Sequence, residues 1–265
     1  MPELPEVETI RRQLSPLVVG RTVSYAWAQR SPKFSQATGT VGATFGPIRR
    51  RGKYLLFGIT GGRELVIHLG MTGNLEPGGE DRPHVRAWWR LDDSTTISFR
   101  DVRQFGRVGV VGAGDYVAYP TLASLGPEPF DAGFTPDSLY RAVNDSVMRV
   151  KTQLLHQRVV AGLGNIYTDE ALWAAGVNPW RRRITRQEAH RLHAAVKEAL
   201  SAGLAHGGTT LRDYRDAGGR EGEHQHHLRC YGRAGLPCEA CGRPLIRRVI
   251  DGRSSTYCPA CQPSR

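Results

Sequence analysis

Residues 54–69 read YLLFGITGGRELVIHL, and this stretch decides the fold class. Two runs of aliphatic and aromatic residues flank Thr60-Gly61-Gly62-Arg63, which we interpret as a hairpin turn because glycine adopts positive φ without strain. A second pair of such runs, at 86–91 and 95–99, flanks a short polar turn in the same way. Strand-like runs recur at regular spacing from residue 18 to about residue 111. They predict an antiparallel sandwich or barrel.

A helical pattern precedes these strands, and others follow them. Residues 5–17 carry apolar side chains at a helical period. Glycine and proline interrupt residues 126–136, which we interpret as a domain boundary. Beyond it, Thr135 before Pro136 and a capping-box sequence at 185–188 predict the starts of two further helices. The chain is therefore expected to be an α+β protein.

A short glycine-containing turn at 161–164 separates two further predicted helices. One helix is expected to end near Gln157, and the other to open at Asn165. Free backbone N–H groups and an asparagine cap at a helix start attract phosphate. A tight interhelical turn without a ligand is the alternative that these residues leave open.

Four of the five cysteines form two Cys-x2-Cys pairs near the end of the chain. The sixteen residues between the pairs are typical of a four-cysteine zinc site. Four thiolates leave no open position, so we expect one structural Zn²⁺ that stabilises a module too small to fold by apolar burial alone. The predicted zinc ligands are Cys238, Cys241, Cys258 and Cys261.

The fifth cysteine, Cys230, lies outside this set. Three histidines, His224, His226 and His227, are close to it in sequence. A second metal site is one interpretation of this segment, and a solvated histidine-rich loop is the other.

The charge balance of the chain favours a polyanionic partner. Lys and Arg total 36 against 25 Asp and Glu, a formal net charge of +11, and nucleic acid is the first candidate. No run approaches the roughly 20 consecutive apolar residues of a membrane span. The N-terminus also lacks the pattern of a secretion signal. We therefore expect a soluble, cytoplasmic protein with reduced thiols and no membrane partner.

The N-terminus begins Met1-Pro2-Glu3, and the proline has two interpretations. Removal of Met1 would make Pro2 a secondary amine whose pKa, near about 7.7–8.0 for an α-amino group, leaves a useful unprotonated fraction at neutral pH. Such an amine can attack an electrophilic sugar carbon and form an iminium ion. The alternative is an ordinary helix start, with proline in the first turn and acidic side chains at the positive end of the helix dipole.

Three polar segments carry further candidates for nucleic-acid binding. Residues 49–53 contain four cations before a strand, and Lys53 alternates in phase with the residues expected on the inner face of that strand. Arg103 and Phe105 follow another strand, and a cation with an apolar wedge can replace an expelled base. Arg253 lies in a polar turn between the cysteine pairs, where it could bind phosphate. Solvated charge is the competing interpretation for residues 49–53 and for Arg253, and an Arg-x-Phe pair that does not enter a base stack is the alternative at 103–105.

Read in order, eight motifs resemble formamidopyrimidine-DNA glycosylase from residue 2 to the last cysteine. They are PELPEVET (2–9), RGKYL (51–55), HLGMTG (68–73), LGPEP (125–129), GLGNIY (162–167), GGTTL (207–211), YGR (231–233) and the four-cysteine ending. The resemblance implies a bacterial repair enzyme with an N-terminal β-sandwich domain and leading helix at 1–127. A helix–two-turn–helix domain at 128–222 and a zinc-finger module at 223–265 are expected to follow.

The resemblance also implies an activity. The enzyme would excise oxidised purines, 8-oxoguanine and formamidopyrimidines, from duplex DNA and then cut the strand by β,δ-elimination. Because a stacked base is out of reach, the damaged nucleotide must first be flipped out of the duplex. By similarity, Pro2 is the nucleophile on C1′ and Glu3 the acid that opens the sugar, with Glu6 in support. Lys53 and Arg253 would clamp the phosphates and assist elimination.

Further roles follow from the same resemblance. Met71, Arg103 and Phe105 would fill the void left by the flipped base. The DNA contacts map to Arg103, Lys151, Asn165 and His84. The expected partner is damaged double-stranded DNA, bound by a monomer.

The chain departs from the usual family pattern at a few positions, and two rival functions stay open. The departures are Val102, Gln104, His156 and Arg220, the last in a loop unusually rich in charge and histidine. An endonuclease VIII type enzyme for oxidised pyrimidines normally begins Pro-Glu-Gly-Pro-Glu, and Leu4 argues against it. A non-catalytic zinc-hairpin DNA-binding protein is opposed by the intact Pro2, Glu3 and Lys53.

Overall fold

The computed structural model describes residues 1–264, which form two compact units. Unit 1 contains Met1–Ala123 and the returning segment Leu204–Gln225. Unit 2 contains Ser124–Gly203 and the chain from His226 onward. Each unit is therefore assembled from two separate stretches of the chain.

Unit 1 is built on a β-sandwich with one long helix beside it. Its helices are α1 (Leu4–Val18) and the short α2 (Pro120–Ala123). Its strands are β1 (Val23–Ala28), β2 (Phe45–Arg51), β3 (Tyr54–Ile59), β4 (Arg63–His68), β5 (Gly73–Pro77), β6 (Val85–Leu91), β7 (Thr96–Asp101) and β8 (Arg107–Gly112). A 3-10 helix at Ser35–Thr40 follows β1, and another lies at His224–His227, whose last two residues belong to unit 2.

The strands form two antiparallel four-stranded sheets, in the orders β1-β6-β7-β5 and β2-β3-β4-β8. Both predicted hairpins are present, as β3–β4 and β6–β7. The core between the sheets takes alternate residues of the strands, such as Leu55 and Phe57 of β3, because successive side chains of a strand point to opposite faces. Val7, Ile10 and Leu14 of α1 complete it. The predicted sandwich is confirmed.

Unit 2 is largely helical and ends in a two-stranded hairpin. Its helices are α3 (Pro136–Asn144), α4 (Val150–Leu155), α5 (Asn165–Ala175) and α6 (Arg186–Ala205, whose last two residues belong to unit 1). Its strands are β9 (Ile246–Ile250) and β10 (Arg253–Tyr257). Both predicted helix starts are confirmed: Thr135 caps α3, and the side chains and N–H groups of Thr185 and Glu188 bond reciprocally before α6.

Helix α5 opens at Asn165, as predicted, but the residue that caps it differs from the prediction. Gly164 is the N-cap, in extended conformation, and Asn165 is the first residue of the helix and not its cap. The preceding turn is fixed by Gln157, whose side-chain oxygen accepts from the N–H of Gly162 at 2.9 Å. Among the described residues, no helix has the length and apolar character needed to cross a membrane.

Candidate functional site

The first residues of unit 1 are held by a buried carboxylate. Glu6, only 1% exposed, accepts from the backbone N–H of Glu3 at 2.6 Å through one oxygen. Its other oxygen accepts from the N–H of Thr209 at 2.7 Å, 203 residues away in the chain. Glu3 is the N-cap of α1, and Pro2 is buried beside it while Met1 is half exposed. The helix start therefore fixes the position of Pro2.

The partner of this helix start is a returning loop, which we define as residues 207–223. Gly208 has a φ of +92°, and a Cβ there would lie 2.9 Å from Cγ of Glu6, so only glycine permits this approach. Tyr214 donates its hydroxyl to the carbonyl of Gly207 at 3.1 Å. Burial and the nearby Glu6 carboxylate raise the pKa of Tyr214, so its hydroxyl stays a donor.

A second contact ties the returning loop to α1 about two turns further along the helix. The side-chain nitrogen of Gln13 donates to Asp216 at 2.8 Å, and its oxygen accepts from the N–H of Ala217 at 2.8 Å. Asp216 also accepts from the N–H and the guanidinium of Arg220. One face of α1 therefore holds the loop at two places.

Lys53 lies in the two-residue turn between β2 and β3, just before the strand on which it was predicted. Gly52 provides the positive φ of this turn, and Lys53 is only 2% exposed. Burial, together with the positive charge of Lys53, lowers the pKa of His68 to about 4. His68 is accordingly neutral at pH 7, and its Nδ1 accepts from the N–H of Gly70 at 3.3 Å.

The three predicted void-filling residues lie on two adjacent loops, which a single carboxylate joins. Asp101, fully buried at the end of β7, accepts from Thr72 at 2.6 Å and from the N–H of Gly106 at 2.7 Å. Thr72 follows Met71, and its hydroxyl accepts from the N–H of Arg103 at 3.0 Å. Asp101 thus sets the spacing of the loops that carry Met71, Arg103 and Phe105.

The side chains on these loops project outward. Phe105 is 51% exposed, and the guanidinium of Arg103 lies 4.7 Å from its ring centre. Gln104, at a position where the chain departs from the family pattern, has a φ of +55°, and its carbonyl accepts from Lys33. His84 is exposed at the start of β6, also with positive φ. These are surface positions at which a cation and an aromatic ring are available to a ligand.

A polar cavity of about 280 Å³ opens in unit 1 between strand residues and the returning loop. Glu76 lies in its wall, with its carboxylate 3.1 Å from Arg82 and 3.3 Å from the amide of Asn74. The cavity is lined by Thr72, Asn74, Glu76, Arg82, Arg100, Val102, Asp213, Arg215 and Gly219. Its volume is near the lower end of the range for small-molecule sites.

In unit 2, one face of α5 carries the C-terminal hairpin. Asn165 donates to the hydroxyl of Ser254 at 3.3 Å, and Asp169, one turn later, accepts from the N–H of Thr256 at 2.9 Å. Trp173, one turn further, donates to Sγ of Cys238 at 3.3 Å. Positions four residues apart lie on the same helix face, which explains this alignment. Arg253 is exposed at the tip of the hairpin that α5 supports.

Lys151 lies beside the hairpin that carries Arg253. Its side chain is fully buried, and its ammonium donates at 2.6 Å to both Asp169 and the carbonyl of Ser254. Burial raises the pKa of Asp169 to about 6, against the opposing effect of the Lys151 charge. In this structure Lys151 therefore supports the hairpin that carries Arg253, and its contact with DNA stays a prediction from the resemblance.

The four predicted zinc ligands converge, with all four Sγ atoms within 4.8 Å of one another. Cys238 and Cys261 are 4.0 Å apart at Sγ, and Cys241 and Cys258 are 3.5 Å apart. Four sulfurs each about 2.3 Å from a tetrahedral zinc ion would lie about 3.8 Å apart, so the set fits one structural Zn²⁺.

Cys230 is not part of a second metal site with the nearby histidines. It is fully buried, and its thiol donates to the carbonyl of Thr256 at 3.0 Å. Burial raises the pKa of this thiol, which keeps it protonated. Its backbone N–H donates to Glu170, a carboxylate that also accepts from the N–H groups of Arg229 and Tyr231. Cys230 is a packing residue of the zinc module.

Known protein families match most of the chain. Residues 1–108 match the formamidopyrimidine-DNA glycosylase N-terminal domain, and residues 125–215 match the formamidopyrimidine-DNA glycosylase H2TH domain. Residues 235–263 match the zinc finger found in FPG and IleRS. The chain belongs to the formamidopyrimidine-DNA glycosylase family.

Curated relatives and solved structures agree with this assignment. Formamidopyrimidine-DNA glycosylase of Thermus thermophilus is 46% identical over 99% of this chain and 98% of its own length. The enzyme of Deinococcus radiodurans is 39% identical over 100% of this chain and 98% of its own length.

Among solved structures, MutM (Fpg) of Thermus thermophilus superposes with a TM-score of 0.93 at 45% identity, covering 98% of each chain. A complex of Lactococcus lactis Fpg with DNA containing an abasic site gives a TM-score of 0.90 at 33% identity. It covers 99% of this chain and 100% of that one.

Sequence reasoning missed the groups that position the predicted residues. Asp101, Asp169 and Gln13 carried no local motif, and the motif that contains Thr209 gave it no role, because each acts on a partner that only folding brings near. One available signal was the spacing Asn165 to Asp169 to Trp173, which places three polar groups on a single helix face.

The depressed pKa of His68 predicts a pH-dependent stability of unit 1. Between about pH 6.5, the ordinary histidine value, and pH 4, the unfolded chain takes up a proton that folded His68 does not bind. Stability is thus lost as pH falls through this window. In calorimetric scans at pH 4.5 and pH 7, His68→Gln should lose less stability on acidification than wild type, whereas His190→Gln, at an exposed position, should behave as wild type. Equal pH dependence in wild type and His68→Gln would contradict this interpretation.

Asp169→Asn should destabilise unit 2, because it leaves the Lys151 ammonium buried without its counter-ion. Removing one partner of a buried ion pair lowers the free energy of unfolding by about 3–5 kcal/mol. The matched control is Asp137→Asn, which breaks an exposed ion pair with Arg186 and should change stability by about 1 kcal/mol or less. Unfolding midpoints in urea measure both. Equal effects of the two variants would show that Lys151 does not depend on Asp169.

Proposed function

We propose that the chain is a bifunctional DNA glycosylase and AP lyase that excises oxidised purines from duplex DNA. The observation that carries the proposal is the buried network at the start of α1, in which Glu6 fixes Glu3 and the returning loop beside Pro2. Family membership over almost the full length supports it. So does the close structural similarity to Lactococcus lactis Fpg in its complex with DNA containing an abasic site.

The proposed reaction begins when removal of Met1 frees the ring nitrogen of Pro2. This secondary amine attacks C1′ of the damaged nucleotide, and the base leaves as Glu3 protonates the opening sugar. The resulting iminium makes the C2′ protons acidic, so the same covalent intermediate supports β-elimination and then δ-elimination. Neither base loss nor strand scission calls on the zinc ion, whose four-cysteine shell offers no open position.

Charged residues of both units are proposed to hold the DNA backbone. Lys53, in its turn beside the sandwich, and Arg253, at the tip of the hairpin, would clamp the phosphates around the lesion. The N-terminus of α5, with Asn165 as its first residue, offers backbone N–H groups to another phosphate. His84 and Arg103 are the further surface contacts.

The flipped base leaves a gap in the duplex, and the two loops joined by Asp101 are proposed to fill it. Met71, Arg103 and Phe105 project from these loops, and the exposed ring of Phe105 with its adjacent guanidinium suits insertion between bases. The cavity beside the returning loop is proposed to receive the extruded purine. Glu76 in its wall can accept a hydrogen bond from an N–H of the base.

Borohydride trapping tests the proposal. Protein without Met1 should form a reduced covalent adduct with duplexes that carry 8-oxoguanine or an abasic site. An adduct only with thymine glycol would favour the oxidised-pyrimidine enzyme. If no adduct forms on any of these duplexes, the proposal is overturned. The remaining interpretation would then be a non-catalytic DNA-binding protein.

Variants at the N-terminus separate the two proposed roles. Pro2→Gly should retain part of the trapping on abasic DNA, because a primary amine can still form an imine. Glu3→Gln should lose excision of 8-oxoguanine by two orders of magnitude or more, the scale of about 10²–10⁴ typical of general acid catalysis. Glu198→Gln, at an exposed position of α6, is the charge-matched control and should excise as wild type does. Full excision by Glu3→Gln would refute its role.

A further inference from the structure

Two histidines face each other where the returning loop begins and ends. His206 follows the last residue of α6, and His224 is the first residue of the 3-10 helix that follows the loop. Their Nδ1 atoms are 3.1 Å apart, and their rings are nearly parallel, at 18°. His224 is only 4% exposed, whereas His206 is partly exposed. The sequence interpretation of this segment as a solvated histidine loop therefore does not describe His224.

The backbone on both sides of the pair is fixed. The N–H of Glu223 donates to the carbonyl of His206 at 2.9 Å, and the N–H of His224 donates to the carbonyl of Gly208 at 3.0 Å. A Cβ at Gly222 would lie 2.2 Å from the carbonyl oxygen of Gly208, so the two segments are in direct backbone contact. The imidazoles are thus presented by a stem that is already closed, and little conformational freedom would be lost on binding.

We propose that His206 and His224 form a binding site for a divalent first-row transition-metal ion, at the stem of the returning loop. Two nitrogens each about 2.0–2.1 Å from a tetrahedral ion lie about 3.3 Å apart, close to the observed separation. Imidazole nitrogen suits Zn²⁺, Ni²⁺ and Cu²⁺.

Binding needs a lone pair on both Nδ1 atoms. In the metal-free contact one ring donates its Nδ1–H to the other, so that ring must shift its proton to Nε2 as the ion enters. Because the proton moves within one ring, this tautomer change releases none to solvent. Among residues 1–264, the four-cysteine set is the one group of three or more metal-ligating side chains, so water completes the shell at the histidine pair. The site is therefore expected to bind an ion more weakly than the cysteines do.

The ion would join the end of α6 to the end of the returning loop. That loop supplies Asp213, Arg215 and Gly219 to the wall of the cavity. A bound ion would therefore stabilise the stem of a segment that shapes the cavity. This consequence follows from the contacts alone and does not depend on the proposed reaction.

Metal counting tests the site in the zinc-loaded protein. After dialysis against excess Zn²⁺, wild type should hold two zinc ions per chain, and His206→Gln should hold one. His190→Gln removes an exposed histidine of α6 and should still hold two. One zinc in wild type, or two in His206→Gln, would overturn the proposal.

Nitrogen NMR of wild type gives a second readout that needs no variant at buried His224. On addition of the second equivalent of Zn²⁺, the Nδ1 resonances of two histidines should shift together, with both rings in the Nε2–H form. If one histidine instead keeps its Nδ1–H hydrogen bond to the other at saturating Zn²⁺, the proposal is overturned.

Discussion

The carboxylate of Glu6 is the interaction on which the proposed active site depends. It is buried, and it accepts two backbone N–H groups, one from Glu3 at the start of α1 and one from Thr209 in the returning loop. Hydrogen bonds to a charged group contribute about 1.5–3 kcal/mol each, and a buried donor left without its acceptor costs a similar amount. The same carboxylate therefore starts the helix, places Pro2 and seats the loop that borders the cavity. The helix-start interpretation of Pro2 and the nucleophile interpretation describe one structure, because the first turn of α1 is what would hold the amine still.

Unit 2 uses the same principle with a different helix. Asn165, Asp169 and Trp173 of α5 hold the hairpin through Ser254, Thr256 and Cys238. Zinc closes the module, and the buried Lys151 pairs with Asp169 behind it. Arg253 is exposed at a tip supported by a metal, an ion pair and a helix face. Such support compensates for the small apolar core of a short module.

Local chemistry explains which features the sequence could predict. The hairpins at 54–69 and 86–99 follow from turn residues and alternation, and the zinc ligands follow from the spacing of two cysteine pairs. The opening of α5 at Asn165 was predicted, but its cap is Gly164, because glycine and asparagine are both acceptable caps. The support that Lys151 gives to the hairpin was not predicted, because its partners, Asp169 and Ser254, lie 18 and 103 residues away. Thr209 and His206 were missed for the same reason: their partners are close only in the folded chain.

If the Glu6 network positions the nucleophile, the amine that attacks the sugar is that of Pro2. Mass spectrometry of peptides from the borohydride-reduced adduct with abasic DNA identifies the attacking amine directly. We predict that the sugar remnant lies on Pro2 in a peptide that lacks Met1. A remnant on Lys53 or on another lysine, with Met1 still present, would contradict this role of the network.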